Sequence, residues 1–185
     1  MSKIKAFFQD HPLALGASVL SGALRVIQTL NFAPVGALSI YSGARMKGIG
    51  AWIVPALVMV ITDWILGFSR YGLGTWTTAT LFVYAALFIN IGLGRLLSNT
   101  ENVGLVVGTT VGASIQFFVT SNLGVWLTSG MYTLDLAGLA QCFTMAVPFY
   151  RNTFASDIVF TCVLFLAHHF LAQRVSPREA VTAQA

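Results

Sequence analysis

From Asn102 to Leu134 the chain carries no Asp, Glu, Lys or Arg, and this apolar run is too long for one helix. A helix that crosses a bilayer needs roughly 20 mostly apolar residues, because each residue rises about 1.5 Å and the hydrocarbon core is about 30 Å thick. That length rule parses the whole sequence into spans at about Pro12–Leu30, Ala33–Ala44, Ala51–Phe68, Trp76–Leu97, Val103–Val119 and Phe154–Gln173. The second of these is short. The stretch Leu134–Val147 would reach only about 21 Å as a helix, so an interfacial or re-entrant piece ended by Pro148 is expected there, with Asn152 or Thr153 capping the last span. Only 9% of the 185 residues are charged, against about 25% in a soluble domain, too few to build a water-soluble surface. The expected fold is therefore an all-α integral membrane protein: six transmembrane helices plus a short interfacial or re-entrant helix. It forms one domain over residues 1–175, with a polar cytoplasmic tail at 176–185.

Lys3 and Lys5 precede an apolar stretch starting at Pro12, in the manner of a secretory signal. With no small-residue cleavage site and polar mature domain after it, the stretch reads as a retained first helix. The net charge of +4 comes from basic residues scattered singly, so no nucleic-acid surface is expected. Cys142 and Cys162 lack the spacing of a disulfide framework or zinc site, and neither a metal nor a cofactor is expected. Six crossings bring both termini to one side. Lys3, Lys5, Arg45, Lys47, Arg95, Arg174 and Arg178 then share one face and Arg25, Arg70 and Arg151 the other, which makes both termini cytoplasmic by the positive-inside rule.

Two rows of small residues announce close helix approach. Gly104, Gly108 and Gly112 recur at four-residue spacing in the fifth span. Ala14, Ser18 and Gly22, with Ala17 and Ser21 beside them, line the first. Either row could serve packing within the bundle or docking on another membrane protein.

An ionisable side chain in hydrocarbon costs about 2.5 to 3.5 kcal/mol on insertion scales and persists where it meets a partner or a wet cavity. Under the topology above Arg25, Asp63, Arg151 and Asp157 all fall toward the outer ends of their spans, and Asn31, Asn122 and Asn152 join them from adjoining turns. The aromatic residues Phe32, Trp64, Tyr71, Trp76, Trp126, Tyr132, Phe149 and Tyr150 gather at the same level. Two readings follow. In one, Arg25 with Asp63 and Arg151 with Asp157 neutralise each other as structural ion pairs. In the other, they line an outward-facing pocket for a small polar or anionic solute, with Trp64, Trp126 and Tyr132 in contact with it. Asn90 and Gln116 lie deep in spans and are expected to hydrogen-bond between helices, while His168 and His169 fall at the inner interface. No zincin, P-loop, nucleophile-elbow or other catalytic motif is present, and no enzyme is expected.

The stretches NFAPVGALSIYSGAR (31–45), VPALVMVITDWILG (54–67), TSNLGVWLTSGMY (120–132) and AVPFYRNTFASDIVFTCVLF (146–165) resemble a bacterial family of small membrane proteins assigned to transport without a named substrate. That family is similar to the substrate-binding S components of energy-coupling-factor (ECF) vitamin transporters. The resemblance carries over at Asn31, Phe32, Pro34, Asp63, Asn122, Gly124, Trp126, Pro148, Phe149, Arg151, Asn152 and Asp157. It implies a multi-pass protein of the bacterial inner membrane that captures a small molecule from outside. It also implies a first helix whose Ala14/Ser18/Gly22 face docks on a membrane coupling subunit driven by ATPases. Some solitary relatives of S components handle cobalamin, one subgroup with a cysteine as cobalt ligand, a role that neither Cys142 nor Cys162 supports. The chain itself has no ATP-binding motif, so energy would come from partner subunits or an ion gradient. The alternative is a non-transporting membrane assembly subunit whose charges are structural.

Overall fold

The computed structural model describes residues 11–27, 32–68, 76–98 and 100–182, with side chains to 171. Among them the chain is helical, with no strand: α1 Pro12–Ile27, α2 Val35–Arg45, α3 Gly50–Leu66, α4 Thr78–Arg95, α5 Val103–Thr128 and α6 Leu136–Thr182. Three segments are long and apolar enough to cross a membrane, namely Thr78–Arg95, Val103–Thr128 and Leu136–Leu171. Helices α1 and α3 are apolar but shorter, at 16 and 17 residues. Much of the outer surface consists of large apolar side chains, such as Val19, Leu81, Val103 and Val163, as a lipid-facing bundle requires.

Two boundaries differ from expectation. Asn122, Gly124 and Trp126 belong to the last turns of α5, not to a loop. The stretch 134–147 is no separate interfacial or re-entrant helix, because α6 runs unbroken through Pro148. Proline forfeits one backbone hydrogen bond within a helix, whereas ending the helix there would strand several polar backbone groups in an apolar phase. Continuing is the smaller loss.

At the start of α6 the Gly138 N–H donates to Asp135 Oδ1 at 2.7 Å and the Thr133 hydroxyl at 2.9 Å. These bonds, the Gly138 one foremost, hold the Asp135 carboxyl below the usual carboxylate range. Their contribution is complete above the ordinary carboxylate pKa and is lost as the pH falls through the lowered one.

The organising element is the shortest. Helix α2, with 11 residues, rises only about 16 Å and cannot cross a bilayer. Yet every residue from Ala37 to Ala44 is buried, and α2 touches all five other helices. Small residues make this possible. A Cβ on Gly43 would overlap the Ile91 carbonyl, and one on Gly94 would overlap the Ile40 carbonyl, so α2 and α4 cross backbone to backbone. Around this crossing, Ala37, Leu38 and Tyr41 pack with Ala14, Ala17 and Leu164, while Ile40 and Ala44 pack with Leu97, Val106 and Ala113.

The two small-residue rows divide. Ala14, Ala17 and Ser21 are buried within the bundle, and a Cβ on Gly22 would meet Thr62 at 3.6 Å, an ordinary packing distance. Gly104, Gly108 and Gly112 instead face outward, with open space before Gly108 and Gly112. Glycines that do permit close approach include Gly36, Gly43, Gly94 and Gly124, the last seated against Phe82. Four-residue spacing identifies a smooth face but not the side on which a neighbour lies.

One end of the bundle is tied by arginines that satisfy helix-terminal carbonyls. Arg45 donates to the carbonyls of Leu97, Ser98 and Thr100 at 3.2, 3.1 and 2.8 Å, and its guanidinium lies 5.1 Å from the Phe165 ring centroid. Arg95 donates to Met46 and Gly48 at 2.8 and 3.2 Å. At the same end Tyr41 Oη is 3.0 Å from His168 Nδ1, and His169 Nδ1 is 3.2 Å from Glu101 Oε2. Replacing Arg45 by alanine is expected to cost on the order of 3 kcal/mol, read from unfolding of the purified protein in mixed micelles. Arg45→Lys should recover only part of that, because one ammonium cannot serve three divergent carbonyls.

Candidate functional site

The outer-end residues singled out in the sequence separate into two polar nodes and a dispersed remainder. The first node joins α1, α3 and α4. Arg25 Nη2 donates to Asp63 Oδ1 at 2.6 Å, Arg25 Nη1 donates to Thr62 Oγ1 at 2.5 Å, and the Tyr84 hydroxyl donates to Asp63 Oδ2 at 2.8 Å. Thr62 in turn donates to the Val58 carbonyl at 2.7 Å, and Trp76 stacks on Tyr84 with ring centroids 6.2 Å apart. Both oxygens of the carboxylate and both terminal nitrogens of the guanidinium are engaged. The node is closed, with side-chain exposures of 23% for Arg25 and 9% for Asp63. This is the Arg25–Asp63 structural pair anticipated from sequence, enlarged by Thr62 and Tyr84.

The second node is open. Asp157, only 2% exposed, projects from α6 onto the first turn of α2. It lies so close to Gly36 that a Cβ there would overlap its carboxyl. The first N–H groups of any helix lack intrahelical acceptors and carry partial positive charge. In α2 the N-cap residue is Pro34, which offers no side-chain cap. Asp157 fills that role from another helix, with the Ala37 N–H facing it. Its Oδ1 nevertheless completes no hydrogen bond. Ser114 of α5 lies beside both the Asp157 carboxyl and the Tyr150 phenol, and its hydroxyl completes a bond with neither. The hydroxyls of Ser156, and of Thr161 one turn along α6, are likewise buried without partners. An unpartnered buried polar atom costs roughly 1 to 3 kcal/mol, so Asp157 Oδ1 and the neighbouring Ser114 hydroxyl are polar groups held together at a cost that packing alone does not repay.

The anticipated Arg151–Asp157 pair does not form. Arg151 is exposed, and the six residues between it and Asp157 are about 1.7 helical turns, which sets the two side chains about 120° apart around α6. Asn152 is half-buried on the same turn as Arg151. Trp64 is 53% exposed and packs at a tilt against Phe68, so it faces the surrounding phase and lines neither node. Asn122 donates from Nδ2 to the Phe118 carbonyl of its own helix at 2.7 Å. Trp126 Nε1 donates to the Thr133 carbonyl at 2.9 Å, fastening the α5–α6 turn, and Tyr132 lies within that turn. Asn31 falls outside the described residues. Contrary to the expected interhelical bonding, Gln116 donates along its own helix to Thr120 at 3.0 Å, and the buried Asn90 amide has no partner. A side chain reaches its own backbone at no entropic cost of finding a neighbour, which is why such bonds win wherever no acceptor is aimed at them.

Helical rise puts the two nodes at a common depth. Eleven residues separate Tyr84 from Arg95 and Asp157 from His168, and ten separate Val35 from Arg45. Each therefore lies about 15 to 17 Å from the arginine-tied end.

Sequence reasoning missed Thr62, Tyr84, Gly36 and Ser114. Ser114 is one hydroxyl in a long uncharged run, and Gly36 is one of 17 glycines. The available signal was Pro34–Val35–Gly36 itself, a proline at a helix start followed by a residue that leaves the first turn bare. No group of three His, Cys, Asp or Glu side chains suited to a metal occurs among the described residues.

A protein-family profile described as "Family of unknown function (DUF6580)" matches residues 6–180. No curated protein and no solved structure matches the chain.

Proposed function

Since the chain belongs to the DUF6580 family, whose function is unassigned, we propose from its geometry that it is a membrane-embedded protein for binding and uptake of a small polar solute, with its site at the Asp157 node. One observation carries this reading. A carboxyl that is 2% exposed and incompletely bonded caps a half-length helix that starts inside the bundle. Ionisable residues at membrane depth persist where they serve a pathway, and short helices ending in mid-bundle bring their termini to solute and ion sites in secondary transporters. Ser114, Tyr150 and the first turn of α2 supply donors and acceptors around Asp157. The closed Arg25–Asp63–Tyr84 node braces α1, α3 and α4 and takes no part in binding.

In this reading α1, α3, α4, α5 and α6 cross the bilayer and α2 returns as a half-length helix. Both termini are cytoplasmic, in the inner membrane of a bacterium, with the arginine-tied end inward. A coupling subunit, if the S-component likeness holds for energetics, would dock on the outward side of α1 at Gly16, Leu20 and Ala23, because Ala14 is buried and Gly22 packs on Thr62. No catalysis is proposed.

The test is a thermal-shift screen of the detergent-purified protein against vitamins, small carboxylates and their amides. A ligand at 100 times its dissociation constant is expected to add about 2.7 kcal/mol of stability, and Asp157→Ala should abolish that gain while Arg25→Met leaves it. A hit whose shift survives Asp157→Ala would move the site elsewhere.

A second reading, a non-transporting assembly subunit, is favoured by the outward row Gly104, Gly108 and Gly112. Stoichiometric cysteine crosslinking through Gly108→Cys to another chain, in a protein that binds no solute, would select it.

A further inference from the structure

The occupant of the Asp157 node can be specified further from the charge its parts tolerate, an inference that rests on the uptake reading above. The first turn of α2 is an anion site by construction: the positive end of a helix, the Ala37 N–H turned toward the carboxyl, and at Gly36 no side chain to keep an anion away. What occupies it is the protein's own carboxyl. Oδ1 of Asp157 and the hydroxyl of Ser114 are both buried beside that turn, and neither has a partner. The site therefore holds an anion already, imperfectly satisfied, with polar groups left over.

Few other charges bear on it. Helix α6 packs on α1, α2 and α5. From α5 the node receives Ser114, which is not ionisable, and from α2 it receives Gly36 and Ala37. Tyr41 and Arg45 of α2 lie further along, bound to His168 and to the Leu97–Thr100 carbonyls. The ionisable group of α1, Arg25, is taken up by Asp63 and Thr62. On α6 itself the phenol of Tyr150 faces the carboxyl across Ser114. Among the described residues no cation stands ready to neutralise Asp157.

We propose that Asp157 is a displaceable stand-in for an anionic solute, and that a small monocarboxylate enters the first turn of α2 together with one proton, which Asp157 carries. Two carboxylates about 4 Å apart at an effective dielectric of about 20 repel by roughly three orders of magnitude in affinity, so the solute binds once Asp157 is neutral. A proton from outside water goes onto the Asp157 carboxylate, weakening its hold on the Ala37 N–H at the first turn of α2. The solute carboxylate takes that N–H. The Ser114 hydroxyl bridges the protonated acid and the bound anion. Carboxylate and proton travel as a neutral pair, and both leave on the other side. No further reactant is required, and the driving force is the proton gradient.

The experiment uses the full chain with a panel of carbon-14 monocarboxylates from acetate to benzoate and the corresponding amides. In weakly buffered detergent the wild type is expected to take up one proton per carboxylate bound, reported by a pH-indicator dye. Its affinity should fall about tenfold per pH unit above the Asp157 pKa. Asp157→Asn, held in the neutral form, is expected to bind the carboxylate on the alkaline side with the affinity the wild type has only in acid. In vesicles, wild-type accumulation should require an acid exterior. Carboxylate binding without proton uptake, or with a flat pH profile, would overturn the proposal even if Asp157→Asn proved unstable. Binding of amides but no carboxylate would overturn it and leave the uptake reading standing. Binding of nothing in the panel or in the wider screen would remove both.

Discussion

Replacing Asp63 by alanine is expected to destabilise the protein by about 3 to 5 kcal/mol, because it leaves the Arg25 guanidinium largely buried beside Thr62 and Tyr84 with no counter-charge. Removing the charges together should be far milder. In Arg25→Met/Asp63→Leu/Tyr84→Phe no buried polar group is orphaned, and apolar contact replaces the network, so the triple variant is expected within about 1 to 2 kcal/mol of wild type. The measurement is equilibrium unfolding in mixed micelles at neutral pH, completed as a double-mutant cycle on Arg25 and Asp63. An alanine variant as stable as wild type would show that Arg25 finds water or headgroups instead. A triple variant as unstable as the single would mean that the geometry of the pair, rather than its neutrality, holds α1, α3 and α4 together.

A single methyl group at Gly94 should have the largest structural effect in the molecule. Gly94→Ala sets a Cβ into the Ile40 carbonyl, and the atom it meets is backbone at the centre of the most buried helix. Side chains can swing aside, whereas α2 can only move as a body, out of contact with every other helix. A loss above about 4 kcal/mol is expected, seen as failure to recover folded monomer in detergent. The matching change on α5, Gly112→Ala, meets open space and should stay within about 1 kcal/mol of wild type. If Gly112→Ala proved the damaging one, its face would be an interface between chains and the α2–α4 crossing would be looser than described.

Much of this architecture is written in the distribution of charge. Long runs with few charges locate α4, α5 and the apolar part of α6, since a helix satisfies its backbone polar groups within the segment itself. The rarity of Arg and Asp also makes Arg25, Asp63 and Asp157 conspicuous, and two of those three are indeed partners. Arg151 misled because adjacency in sequence, six residues from Asp157, is not adjacency on a helix face. Pro148 misled because a breaker in water is tolerated where the alternative is more unsatisfied backbone.

By itself the sequence determined that the chain is helical and suited to an apolar phase, and that a few costly polar groups would have to find company, for those are consequences of composition and spacing. The tertiary structure decided which company each found: a closed network for Asp63, the bare first turn of α2 for Asp157, open space for Gly108 and Gly112. Such choices depend on how helices rotate and cross. That is governed by contacts between residues far apart in the chain, Gly43 with Ile91 and Gly36 with Asp157, which no local period encodes.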